Sequence, residues 1–111
     1  MRQYVVDELR KNEIERVEQY LSRTCQEGGV NRLYWLPIPD DLLSEEQAKH
    51  VKDCGPHCIG IEITEDSVVF EMLVRSRKKL RCSCITYASE QQRNFILQFA
   101  DRLVRETEVG A

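Results

Sequence analysis

Apolar residues recur at helical spacing near both ends of the chain. Residues 4–25 place them three or four positions apart, with Arg, Lys and Glu between them: Val6, Leu9, Ile14, Val17, Leu21 and Cys25. The phase slips between Leu9 and Ile14, which favours a break or kink there. Near the C-terminus, Ser89 and Gln92 have capping-box spacing ahead of a second stripe, formed by Phe95, Ile96, Phe99, Leu103 and Val104. One stripe on each segment predicts two amphipathic helices that bury one face.

Between these segments the hydrophobic period changes to two. Apolar and other side chains alternate along residues 59–64 and again along residues 68–75, and residues 80–87 follow as a third predicted strand. Short turns separate the three segments. The pattern predicts a three-stranded antiparallel meander.

Two shorter elements complete the prediction. Residues 32–38 are aromatic and apolar but include Pro37, which cannot donate a ladder hydrogen bond, so we expect a short edge strand there. Ser44 and Gln47 have the spacing of a capping box and predict a short helix near 42–52. The predicted fold is a two-layer α+β domain, with the meander packed against the N- and C-terminal helices.

Length and composition support one globular domain that spans residues 1–111. The chain is 41% hydrophobic and 32% charged, which is typical of folded rather than disordered proteins. We expect no membrane segment, because no run approaches the roughly 20 apolar residues of a spanning helix. The N-terminus lacks the apolar stretch of a signal peptide, so a cytoplasmic location is expected.

The cysteines supply the first candidate site. There are five, an odd number that favours free thiols, metal ligands or core residues over disulfides in a reducing compartment. Zinc takes about four nitrogen or sulfur ligands. The candidates are Cys54, Cys58, Cys82, Cys84 and His57, with His50 as a substitute ligand.

Two observations favour core packing of Cys82 and Cys84 over a shared zinc site. The Cys-x₃-Cys and Cys-x-Cys spacings differ from the paired Cys-x₂-Cys of well-known zinc sites. In a simple meander the first and third strands lie about 9–10 Å apart, at two strand spacings. Cys58 would then be too far from Cys82 to share an ion.

A thiol-dependent enzyme built on Cys54, His57 and Cys58 is a further alternative. Adjacent residues seldom point their side chains at each other, and Cys–His catalytic pairs usually come from distant segments. The sequence has no phosphate-binding glycine loop, nucleophile elbow or His-Glu-x-x-His pair. We therefore expect no catalytic residues.

The candidate partner-binding residues are aromatic or basic. Tyr34 and Trp35 lie in the predicted edge strand. The whole chain has a net charge of −3, but the basic hairpin 75–81 carries five positive charges, on Arg75, Arg77, Lys78, Lys79 and Arg81. This hairpin suits phosphate contacts. Nucleic-acid binding is disfavoured, because no aromatic residue is interleaved with the basic ones as a stacking platform.

The leading hypothesis from sequence is a non-enzymatic binding domain that contacts a protein partner or self-associates. The alternative is a zinc-stabilised domain, and a thiol-dependent enzyme or nucleic-acid binder follows behind these two.

Overall fold

The computed structural model describes residues 2–109 and contains three α-helices and a seven-stranded antiparallel sheet. The helices are α1 (Lys11–Thr24), α2 (Glu45–Cys54) and α3 (Glu90–Thr107), and a 3₁₀ turn spans Asp40–Leu42. The strands are β1 (Gln3–Val6), β2 (Gln26–Glu27), β3 (Leu33–Pro37), β4 (His57–Ile63), β5 (Val68–Glu71), β6 (Leu73–Ser76) and β7 (Thr86–Tyr87). The predicted α+β class is confirmed. Residues 1, 110 and 111 of the predicted domain lie outside the described residues.

Strand β4 lies at the centre of the sheet, whose main order is β1-β5-β4-β3-β2. One edge of β4 pairs with β3 along five residues, from Pro37 opposite Cys58 to Leu33 opposite Glu62. The other edge pairs first with β6 and then with β5. Strands β5 and β6 follow each other along this edge and are separated by a single residue, Met72.

The hydrophobic core lies between one face of the sheet and helices α1 and α3. Its fully buried members include Val17 and Leu21 of α1, Ile96 and Leu103 of α3, and Phe70 of β5. The Phe70 ring meets the Phe99 ring edge-on, with centroids 6.4 Å apart. The capping box that the sequence indicates at Ser89 and Gln92 is formed at the start of α3. The opposite face of the sheet is not covered by these helices.

The predicted helix over 4–25 begins later than expected. Residues 3–6 form β1 and pair with β5, from Gln3 opposite Glu71 to Val6 opposite Val68. Glu8 has a left-handed φ of 59°, which a continuous helix does not allow. Only at Lys11 does the helix start. The segment Tyr4-Val5-Val6 consists of residues that favour strands. Its pairing with β5 therefore prevails over the helical spacing, which rests on only two apolar residues before the break, Val6 and Leu9.

Two strand predictions also need correction. Residues 80–87 were expected to form the third strand, but only Thr86 and Tyr87 are in a strand, and residues 77–85 form a loop. Strand β6 follows β5 after one residue but pairs with β4 and β7 and not with β5, so β4, β5 and β6 do not form the predicted simple meander. The segment at 32–38 is not an edge strand, because β3 lies between β4 and the two-residue β2. Within residues 2–109 no helix is long and apolar enough to cross a membrane.

We predict that Phe70→Ala lowers the free energy of unfolding by about 3–5 kcal/mol, because the truncation leaves a cavity beside Phe99. The control is Val30→Ala, at a side chain that is 66% exposed, which should change stability by less than about 0.5 kcal/mol. Urea denaturation measures both. Equal effects of the two substitutions would contradict the described core.

Candidate metal centre

Four side chains from two distant segments converge at the C-terminal end of α2. His50 and Cys54 belong to α2, and Cys82 and Cys84 belong to the 77–85 loop. Their four potential ligand atoms all lie within 4.8 Å of one another. His50 Nδ1 is 3.0 Å from Cys82 Sγ, and Cys54 Sγ is 3.6 Å from Cys82 Sγ. We call these four residues the Cys/His cluster.

Local sequence explains how each segment presents its two ligands. His50 and Cys54 are four residues apart and therefore share one face of α2. The helix ends at Cys54, directly before Gly55 and Pro56. In the loop, Ile85 N donates to the Cys82 carbonyl at 3.0 Å and closes a tight turn. This turn brings the two sulfurs of Cys82 and Cys84 to the same side of the loop.

The inward face of α2 is polar instead of apolar. Its buried residues are Gln47 and Cys54, with His50 half-buried, and these recur at helical spacing. The helix has the expected Ser44–Gln47 capping box but no apolar stripe, since Ala48 and Val51 are exposed. Hydrophobic burial therefore contributes little to holding α2 in place.

The 77–85 loop has the same character. Cys84 is its only fully buried residue, Cys82 and Ile85 are half-buried, and Leu80 is 96% exposed. Gln47 connects α2 to this loop, because its Nε2 donates to the Cys84 carbonyl at 3.3 Å. The contact between α2 and the loop therefore consists of this hydrogen bond and of the contacts that His50 and Cys54 make with Cys82.

Electrostatics within the Cys/His cluster favour ionisation of Cys82. The pKa of the Cys82 thiol is lowered to about 6, first by the backbone N–H of Cys84 and then by side-chain hydrogen bonds from Cys84, Cys54 and His50. The pKa of Cys84 is raised to about 12, mainly by burial and then by its hydrogen bond with Cys82. Thiolates are the form of cysteine that binds metals, so these hydrogen bonds prepare Cys82 for that role.

The carboxylate of Glu46 lies beside the imidazole of His50, outside the cluster. Glu46 Oε2 is 3.6 Å from His50 Nε2, the ring nitrogen opposite Nδ1. The Ser83 hydroxyl donates to the same carboxylate. This hydrogen bond is the main cause of the lowered pKa of Glu46, with His50 and Lys49 adding smaller effects. When Nδ1 binds a metal in place of its contact with Cys82, the carboxylate would hold the proton that remains on Nε2.

His57 lies beside the cluster, on β4. Its Nε2 is 3.3 Å from Cys84 Sγ, while its buried Nδ1 has no hydrogen-bond partner among residues 2–109. A proton on Nδ1 would be a buried donor without an acceptor, which is costly. The proton therefore belongs on Nε2, which donates to the Cys84 sulfur. Burial lowers the pKa of His57, so the ring is neutral.

The structure brings some of the candidate metal ligands together and separates others. Cys54, Cys82 and Cys84 join His50 in the cluster. Cys58 follows His57 on β4, and adjacent strand residues point to opposite faces of the sheet. The Cys58 thiol instead interacts with Arg77, and burial raises its pKa. His57 and Cys58 therefore do not face each other as a catalytic pair would.

The sequence does not reveal the position of Cys82 or the contributions of Glu46 and Ser83 to the site. The distance objection to a shared site assumed that Cys82 lies on the third strand, whereas it lies in the loop. Glu46 was not a candidate, although its four-residue spacing from His50 is the signal that could have identified it. Ser83, between the two loop cysteines, donates to the Glu46 carboxylate and was not a candidate either.

The candidate partner residues are also divided between the two faces of the sheet. Tyr34 is buried on the helix side, and its hydroxyl is 3.3 Å from Ser22 Oγ. Trp35 is half-buried on the open face, where the Arg77 guanidinium lies 5.0 Å from its ring centroid. Arg75 forms an ion pair with Glu71. Of the remaining basic candidates, Lys78, Lys79 and Arg81 are exposed.

Comparisons with protein-family models, curated protein sequences and solved structures found no match to this chain.

We predict that Gln47→Ala lowers the free energy of unfolding by about 1–3 kcal/mol, because it leaves buried polar groups without partners. They are the Cys84 carbonyl and one N–H of Gln92 Nε2, which donates to Gln47 Oε1 at 2.8 Å and keeps only its other hydrogen bond, to the Leu42 carbonyl. Lys49→Ala, on the exposed side of the same helix, should change stability by less than about 0.5 kcal/mol. Thermal or urea unfolding compares the two. If Gln47→Ala were as stable as the control, these hydrogen bonds would not be what holds α2.

Proposed function

We propose that this protein is a small zinc-stabilised binding domain. In this proposal a single Zn²⁺ ion is held by His50, Cys54, Cys82 and Cys84 and joins α2 to the 77–85 loop. The observation that carries the proposal is the convergence of four nitrogen and sulfur ligand atoms within 4.8 Å of one another. These atoms come from two segments that have little apolar surface to bury.

The distances between ligand atoms suit a tetrahedral ion. Zn–S bonds of about 2.3 Å and Zn–N bonds of about 2.0–2.1 Å separate neighbouring sulfurs by about 3.8 Å and a sulfur from a nitrogen by about 3.6 Å. The Cys54–Cys82 sulfur separation of 3.6 Å is close to the first value. His50 Nδ1 and Cys82 Sγ, at 3.0 Å, need to move apart by only about half an ångström.

The chemistry of the donor atoms favours zinc over the other common divalent ions. Three thiolates and one imidazole are soft or borderline ligands, whereas Mg²⁺ and Ca²⁺ take oxygen ligands. Glu46 supplies a typical outer-shell partner, because a metal-bound histidine usually donates its other N–H to a carboxylate or carbonyl. Ser83, His57 and Gln47 support the ligands in the same way, through hydrogen bonds to Glu46, Cys84 Sγ and the Cys84 carbonyl.

The number of ligands supports a structural role for the ion. Four protein ligands complete a tetrahedron and leave no position for the water or substrate that a catalytic zinc binds. The ion would supply the stabilising free energy between α2 and the loop, which have few apolar residues to bury. Structural zinc binds small peptides with roughly 10–16 kcal/mol, as much as the whole stability of a typical domain. We therefore assign the domain to binding and not to catalysis.

We predict that the purified protein contains one zinc ion per chain and that Cys82→Ala abolishes its retention. The substitution should lower the free energy of unfolding by at least about 3 kcal/mol, because the binding energy of a structural metal contributes directly to folding. Native mass spectrometry before and after a chelator, followed by unfolding of both proteins, measures these effects.

Cys58→Ala is the matched control for the loss of a thiol. Cys58 is also a cysteine of this region, but it points to the opposite face of the sheet and interacts with Arg77. This variant should retain one zinc ion per chain. If wild-type protein held no metal and chelation left its unfolding midpoint unchanged, the proposed zinc site would be wrong.

A second prediction concerns the outer shell of the same site. Glu46→Ala should weaken zinc affinity by roughly 10- to 100-fold, because the His50 ring loses the carboxylate that orients it. Glu45→Ala removes the neighbouring acidic residue from the same helical turn and serves as the control. Competition with a chromogenic chelator gives both affinities. Equal affinities would exclude a role for Glu46 in orienting His50.

A further inference from the structure

The open face of the sheet, opposite α1 and α3, contains a pocket of about 440 Å³. Its floor is apolar and is formed by Leu33 and Trp35 of β3, Gly60 of β4 and Val69 of β5. Its rim includes Arg77, Lys79 and Leu80 of the 77–85 loop. Pockets that bind small molecules are concave and mostly apolar, with a few polar groups, and have volumes of about 300–1,000 Å³.

Gly60 is the second observation that points to a ligand. It lies in the middle of the central strand, where a glycine contributes no side chain and weakens the sheet. Its φ is not in the left-handed region that favours glycine. A Cβ at this position would lie 3.6 Å from both Trp35 Cζ3 and Glu71 Oε1, which is ordinary contact. Gly60 lies buried directly opposite Trp35 in the β3–β4 register, and its lack of a side chain leaves space beside the indole ring that a larger residue would fill.

The charges at the rim indicate the sign of the ligand. The charge of Arg75 is neutralised by Glu71, with Nε and Nη2 at 2.7 and 3.2 Å from the two carboxylate oxygens. Arg77 donates instead to the neutral amide of Gln26 at 3.0 Å. Neither Arg77 nor Lys79 forms an ion pair with a carboxylate within residues 2–109. With Glu62 as the remaining acidic residue of the lining, Arg77 and Lys79 leave the pocket with a net positive charge on the side of the 77–85 loop.

We propose that this pocket binds a small organic anion with an apolar body. The body lies over Gly60 against Trp35, Leu33 and Val69, and a carboxylate, sulfonate or phosphate group pairs with Arg77 and Lys79. A nucleic-acid strand fits less well, because successive bases stack on several aromatic residues and the pocket lining offers one.

The test uses 8-anilinonaphthalene-1-sulfonate as the probe and N-phenyl-1-naphthylamine as its uncharged analogue. Trp35 is the only tryptophan of the chain, so energy transfer from tryptophan to the probe reports binding close to the pocket floor. We expect saturable binding of one sulfonate probe per chain with energy transfer, and weaker binding of the uncharged analogue.

Gly60→Val should fill the floor and lower the affinity for the sulfonate probe about tenfold or more. Its unfolding midpoint should be unchanged or higher, because valine favours strands, and this excludes unfolding as the cause of lost binding. The double variant Arg77→Gln/Lys79→Gln changes only surface residues. It should weaken binding of the sulfonate about tenfold and leave the uncharged analogue unaffected.

Lys78→Gln/Arg81→Gln is the matched control, since it removes the same charge from loop positions outside the pocket lining. It should leave the affinity for the sulfonate probe within about twofold, once screening by salt is equal in both experiments. The proposal is overturned if Gly60→Val binds the probe as wild type does, or if the control weakens binding as much as Arg77→Gln/Lys79→Gln. Tight binding of an oligothymidine that Gly60→Val does not weaken would also overturn it, in favour of a nucleic-acid surface.

Discussion

Strand β4 is the constraint on which the rest of the structure depends. Neighbours pair along both of its edges, so its side chains have only two directions available, and they alternate. Ile59 and Ile61 point into the core beneath α1 and α3, and His57 continues the same face towards Cys84. The Cys58 side chain points to the opposite, open face, and Gly60 leaves that face without a side chain at its position. One strand thus positions the core, the edge of the Cys/His cluster and the pocket floor.

Helices α1 and α3 are held in place by a different kind of contact from the one that holds α2. Helices α1 and α3 each bury an apolar stripe, and hydrophobic burial is sufficient to hold them on the sheet. Helix α2 presents Gln47, His50 and Cys54 instead, and the loop that it meets buries Cys84 fully. A polar contact of this kind is weak in a small domain unless every group is satisfied. Under the proposed function, coordination of a zinc ion supplies the stabilisation that this contact between α2 and the loop otherwise lacks.

The 77–85 loop links the two proposed sites. Its inner side carries Cys82 and Cys84, and its outer side carries Arg77, Lys79 and Leu80 at the rim of the open-face pocket. The rim residues are held by contacts of their own, because Arg77 N donates to the Pro56 carbonyl at 3.1 Å and Lys79 N donates to Ser76 Oγ at 3.0 Å. The zinc site and the anion pocket are separate proposals, yet the same short segment supplies residues to both.

The sequence by itself determined the α+β class, the helices α2 and α3 with their capping boxes, and the alternation along β4, because these depend on local spacing and turn chemistry. It also identified Cys54, Cys82 and Cys84 as candidate ligands. Only the tertiary structure decided that residues 3–6 pair with β5 and that Cys82 leaves the sheet, since strand pairing and loop paths depend on contacts between distant residues. For the same reason it alone selected His50 over Cys58 in the cluster and placed Trp35 beside Arg77.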